Sequence, residues 1–214
     1  MRGLTFADRP GRVLLLGAHP DDIEIGCGGT LLRMARDWPG LPVTVVVLTG
    51  TPERQEEARR AAELFLPGCD VTVHTFDLPD GRLPSVWGDV KERLEDVAAR
   101  TPGVDVVLAP RVEDAHQDHR LLAGLVTTVW RDHLVLGYEI PKWDGDLGRP
   151  SVYVALEEAV AHEKVRLLGK AYPSQVGRDW WDEEMFLGLA RLRGMECRAR
   201  YAEGFTLSKL ALTW

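Results

Sequence analysis

A chain of 214 residues with 26 Lys and Arg against 33 Asp and Glu carries a formal net charge of −7, and 45% of its residues are hydrophobic. That is enough apolar material for one self-sufficient α/β domain, while the acidic balance argues against a nucleic-acid surface or an anionic membrane as partner. Three widely spaced cysteines give no disulfide framework, no apolar run is long enough for a membrane span, and MRGLTFADRPGR at the start has no apolar signal-peptide segment, so a cytoplasmic location is expected.

Arg12–Leu16 is a short apolar run of the kind expected for a buried strand. Gly17 and Ala18 let the chain turn, and His19, Pro20, Asp21 and Asp22 follow. Adjacent carboxylates at a strand end repel each other and are costly to bury unless a cation neutralises them. An imidazole three residues before Asp22 supplies a nitrogen, so His19 and Asp22 can grip one metal from a single turn. Asp21 is then left beside the metal and free for proton transfer. Gly26–Gly29 follows, where missing side chains would permit close helix packing or approach by a ligand. A dinucleotide site is disfavoured: no G-x-G-x-x-G follows the strand, and two acids stand where a pyrophosphate would go. AHPDD followed by GCGG resembles the signature of the PIG-L/LmbE-type family of zinc-dependent N-acetylglucosaminyl deacetylases.

Strand-like and helix-like stretches then alternate. A helix is expected over Thr30–Arg36, a strand over Val43–Leu48, a helix over Glu53–Phe65 with Ala58, Ala61, Ala62 and Phe65 in one stripe, and a strand over Val71–Phe76. Pro79, Asp80 and Gly81 mark a turn. An amphipathic helix spans Trp87–Arg100, and Val104–Ala109 reads as another buried strand. This order implies a Rossmann-like, doubly wound domain with a mostly parallel sheet and helices on both faces, occupying 1–214 as a single unit. Ligands of such sheets bind at the carboxyl ends of the strands. The loops after the first strand and after Val104–Ala109 therefore share one sheet edge. The second loop is RVEDAHQDHR, leading into a helix from Leu121 to Trp130, and its H-x-x-H spacing puts His116 and His119 on one side of a helical turn. HQDH matches the family's H-x-D-H element. The resemblance implies that His119 completes the zinc site while His116 stays off the metal.

Two further strands are read over Leu134–Ile140 and Ser151–Leu156, separated by PKWDGDLGRP, a loop that is either a solvated connection or substrate-facing. A helix over Glu157–Ala171 ends in AYPSQ. Lys164 with Ser174-Gln175 fits the family pattern, but Tyr172-Pro173 stands where the family often has a histidine. Trp180-Trp181 opens a last helix through Arg193 and reads as core or interface rather than a sugar platform. YAEGF at 201–205 resembles the family's closing element.

Two nitrogens and one carboxylate oxygen leave zinc an open position for water, the mark of a catalytic site. The resemblance thus implies one Zn2+ per chain held by His19, Asp22 and His119. Asp21 is expected as general base and His116 as oxyanion stabiliser or proton donor. Asp118 either orients His116 or is a helix N-terminal carboxylate favoured by the dipole. Arg54, with Glu57, fits a family Arg-x-x-Glu element and is expected to bind sugar hydroxyls or a phosphate of the substrate. Glu24 is expected to be a solvated helix-start residue. The expected substrate is a small amino-sugar glycoconjugate that loses its N-acetyl group. Rival readings are a metal-dependent hydrolase of another bond and a noncatalytic binding protein. A homo-oligomer is expected, with the tryptophan-rich carboxy-terminal region as its apolar surface.

Overall fold

The computed structural model describes residue 6 and residues 8–211, so part of the stretch read for a signal peptide lies outside the described residues. Seven strands, β1 (Val13–Gly17), β2 (Pro42–Thr49), β3 (Asp70–Leu78), β4 (Val106–Pro110), β5 (Leu134–Tyr138), β6 (Val152–Leu156) and β7 (Tyr201–Leu207), form one sheet. Their order is β3-β2-β1-β4-β5-β7-β6. Only β7 runs against its neighbours, pairing antiparallel with both β5 and β6. The mostly parallel α/β architecture expected from the alternating pattern is therefore present, with one antiparallel strand set into it.

Helices α1 (Asp22–Asp37), α2 (Pro52–Phe65), α3 (Trp87–Arg100), α4 (Gln117–Val129), α5 (Glu158–Ala171) and α6 (Glu183–Cys197) cover both faces. Val13 and Leu15 of β1 pack with α1, α2 and α5, whereas Leu14 and Leu16 pack with α3 and α4. A strand covered on both sides must be apolar throughout, which is why β1 reads as an unbroken run. The chain runs from β1 out to β2 and β3, then returns to place β4 on the other side of β1. The strand order reverses between β1 and β4, and their carboxyl ends open a crevice there.

Three elements differ from the sequence reading. α1 begins at Asp22, eight residues before the expected Thr30, and takes in the glycine run. Its geometry breaks at Cys27 (φ −142°, ψ 17°). A Cβ on Gly26 would stand 2.3 Å from the Tyr138 ring, one on Gly28 2.7 Å from Phe65, and one on Gly29 2.5 Å from Leu156. These glycines serve close packing. Second, α6 starts at Glu183, because Asp182 accepts the amides of Glu184 (2.7 Å) and Met185 (3.1 Å) as its cap, leaving Trp180 and Trp181 ahead of it. Third, YAEGF lies in β7, which was not read as a strand. Among the described residues no helix is long and apolar enough to cross a membrane.

Candidate functional site

Both polar loops leave the sheet at the crevice. Thr49 fixes the first by donating its N–H (3.0 Å) and hydroxyl (2.7 Å) to the Ala18 carbonyl. The His19 amide donates to Asp22 Oδ2 at 2.8 Å, closing the turn that brings ring and carboxylate together. His119, in the first turn of α4, meets them from the other side. His19 Nδ1 and His119 Nε2 are 3.0 Å apart. Asp22 reaches the first at 3.5 Å through Oδ2 and the second at 3.2 Å through Oδ1. Ligand atoms about 2.0–2.1 Å from a shared tetrahedral ion stand about 3.4 Å from one another. The two nitrogens and the carboxylate therefore fit a three-residue metal site. His19, His116 and His119 are also close enough to share an ion, as are His19, Asp80 and Asp118; the Asp22 carboxylate lies against both His19 and His119.

Electrostatics here follow from burial and crowding. Burial would raise the Asp22 carboxyl, but His119 and His19 hold it well below the carboxylate range. Burial would lower both imidazoles, yet Asp22, with Asp118 and Asp80, raises His19, and Asp22 with Asp114 brings His119 to about 9. Such a site exchanges protons for a cation on loading. The outward nitrogens meet carboxylates: Asp80 lies 3.1 Å and Asp118 3.4 Å from His19 Nε2, and Asp114 3.1 Å from His119 Nδ1.

Asp21, adjacent in sequence, has a different environment. It is 6% exposed and pairs with Arg54 at 2.9 Å. Burial pushes its carboxyl up, with Arg54 opposing. Arg54 is further engaged by Glu57 at 2.8 Å and Ser174 at 3.3 Å, and lies over the Tyr172 ring. The guanidinium expected to meet substrate is thus committed to protein groups at the cavity wall.

His116 caps α4, its Nδ1 accepting the Asp118 amide at 3.3 Å. Burial, then the nearby His119 and His19, lower its pKa. The fully buried Asp118 carboxylate does not go to His116. It accepts the amides of Gly81 (2.7 Å) and Leu83 (3.0 Å) and so ties the turn after β3 to α4.

Glu24 is not the solvated residue expected. It is 2% exposed because α1 begins before it and turns it inward, and burial lifts its carboxyl to about 8 despite a bond to Tyr172. The Tyr172 oxygen lies 2.5 Å from Glu24 Oε2 and 2.5 Å from the Pro20 carbonyl. The hydroxyl stands between the Pro20 carbonyl and the Glu24 carboxyl, so Tyr172 ties the His19–Asp22 turn to the first turn of α1.

Sequence reasoning passed over Asp114, Asp80 and Lys142. Asp114 bonds His119, the His116 amide (2.8 Å) and Lys142 Nζ (2.9 Å). Burial would raise it, but these partners hold it at about 2. An acid five residues before His119 on the same loop was the available signal for it, and the turn at 79–81 on the same sheet edge was the signal for Asp80. His19, Asp21, Asp22, Asp80, His116 and His119 open on a cavity of about 810 Å³, whose wall also holds Trp143, Arg178 and Trp180.

A family model described as PIG-L, GlcNAc-PI de-N-acetylase, matches residues 14–130. The chain is 32% identical to an uncharacterized deacetylase, YaiS, of Escherichia coli K12, over 78% of this chain and 94% of that protein. It is 28% identical to a diacetylchitobiose deacetylase of Thermococcus kodakarensis, over 90% and 81% of the two chains. Its fold is similar to that of a 4-carboxy-2-hydroxymuconate hydratase from Pseudomonas putida KT2440, with a TM-score of 0.75 at 22% identity over 95% and 98% of the chains. A shared fold does not by itself choose the reaction.

Proposed function

The chain belongs to the PIG-L family, and from that premise we propose that it is a zinc-dependent hydrolase removing the N-acetyl group of an N-acetylglucosamine-type glycoconjugate, yielding free amine and acetate. The observation that carries the reading is a carboxylate and two imidazole nitrogens of three residues with contacts of 3.0–3.5 Å among them, at a cavity that also presents a second carboxylate, Asp21, paired with Arg54 and not with the histidines. Two relatives are named as deacetylases, which supports an acetyl group as the one removed.

In this reading His19, Asp22 and His119 hold one zinc ion per chain. Zinc would supply Lewis acidity toward the amide carbonyl and lower the pKa of a water to about 7. Asp21 takes the proton of the attacking water, and Arg54 holds its carboxylate in the cavity wall. His116 accepts the Asp118 amide at Nδ1, so its proton sits on Nε2, free to hydrogen-bond to the carbonyl oxygen as charge develops there, while the proton taken by Asp21 passes to the leaving nitrogen. Asp118 acts through position: its amide sets the tautomer of His116 and its carboxylate anchors the turn that carries Asp80. Arg54 also lines the cavity, where a substrate hydroxyl would meet it beside Asp21.

The test is metal content together with acetate release from N-acetylglucosamine, its β-1,4 dimer and a panel of N-acetylated glycosides. Chelation should abolish release and added zinc restore it. No acetate from any panel member with metal-loaded protein would remove the deacetylase reading.

A further inference from the structure

Trp143 is the most exposed large hydrophobic side chain on the cavity wall, with 71% of its surface in water. Its loop, residues 141–150, is not loose. Lys142 is tied to Asp114 at 2.9 and 3.1 Å, and Asp114 is 1% exposed. On the far side Asp146 pairs with the buried Arg111 at 2.9 Å and accepts the Ala115 amide at 2.7 Å. Buried ion pairs thus pin the backbone on either side of the exposed indole. Exposure of one hydrophobic side chain is ordinary; what sets Trp143 apart is its place on the wall of the cavity, on a backbone braced at both ends.

The surroundings choose the ligand. Asp144, Asp77, Arg178 and Gln175 line the same cavity as the indole. An acyl chain laid there would strip water from charged groups without returning hydrogen bonds. A pyranose offers both an apolar C–H face for the ring and hydroxyls for the carboxylates and guanidinium. The cavity, about 810 Å³, lies toward the upper end of the roughly 300–1,000 Å³ range of ligand sites, so it has room beyond one amide-bearing ring. Resting on the deacetylase reading above, we propose that Trp143 is the stacking platform for a second sugar ring, and that the substrate is an N-acetylated di- or oligosaccharide rather than a lone amino sugar.

The experiment compares kcat/KM for the β-1,4 dimer and for N-acetylglucosamine itself in the parent, Trp143→Ala and Trp143→Phe, with equilibrium binding of both sugars followed by saturation-transfer NMR. The parent should favour the dimer. Trp143→Ala should shrink that ratio by about 3- to 10-fold, chiefly through KM, and Trp143→Phe should keep most of it. A parent that handles both sugars equally, or a Trp143→Ala ratio equal to the parent's, overturns the platform while leaving the deacetylase reading intact. Should neither sugar release acetate, dimer-selective binding that is lost in Trp143→Ala would support the platform with the reaction wrong. Equal binding of both sugars would sink it.

Discussion

Asp21 and Asp22 are neighbours with opposite environments. Asp22 faces two imidazoles, which favour its charge; Asp21 faces one arginine across a buried wall. The same residue type can therefore serve as ligand and as base one position apart. Asp22→Ala should sharply reduce bound zinc, as should His19→Ala and His119→Ala, because loss of one of three protein ligands leaves a weak site. Asp21→Asn keeps size and polarity but accepts no proton. Zinc should stay, and kcat should fall by about 10²–10⁴-fold. Metal analysis alongside acetate-release kinetics decides: an Asp21→Asn protein that loses zinc, or turns over near the parent rate, shows the assignment of base and ligand within HPDD to be wrong.

At the scale of elements, the break in α1 is held by residues far away in sequence. Glu203 of β7 accepts the amides of Gly29 (2.8 Å) and Thr30 (2.7 Å), which act as a second helix start. Lys164 of α5 donates to the Ile25 carbonyl at 2.7 Å and pairs with Glu203 at 2.6 Å. Both side chains are nearly fully buried, so removing one strands the other. Glu203→Gln or Lys164→Met should each destabilise the fold by about 3–5 kcal/mol in denaturant titrations, and the double variant by less than the sum. Additive losses would mean that the pair does not act as a unit. The same contacts explain which elements were legible in the sequence. α2 and α3 declared themselves by apolar stripes on local periodicity, and the HPDD and HQDH strings by contiguity. The early start of α1 was hidden because glycines and a buried Glu24 read as loop. β7 was hidden because a strand carrying Glu203 and Gly204 has no apolar pattern until Lys164 and the α1 break are placed against it. Asp114, Asp80 and Lys142 are single polar residues on three separate loops, and only the sheet order brings them together.

Over the whole molecule, the sheet reversal between β1 and β4 sets the candidate site on the two central strands, with α1 and α4 both starting from it. The residues proposed as metal ligands come from α1, α4 and the loop before α1, so an ion bound there would join the two halves of the doubly wound sheet. The two larger cores, one on each face, share the strands β1, β2 and β4, so neither can open without exposing the other, and a smaller cluster of Leu156, Ala161, Ala190 and Tyr201 lies under β6 and β7. We propose that 1–214 unfolds as a single domain. Calorimetry should show one transition with matching calorimetric and van't Hoff enthalpies. Because an ion that binds only the folded chain stabilises it by RT ln(1 + [L]/Kd), zinc at 1,000 times its Kd should add about 4 kcal/mol and move that single transition upward as a whole. In Asp22→Ala the shift should largely vanish, while in Asp21→Asn it should persist. Two separable transitions, only one of them moved by zinc, would show instead that the β5-β7-β6 side with α6 melts on its own.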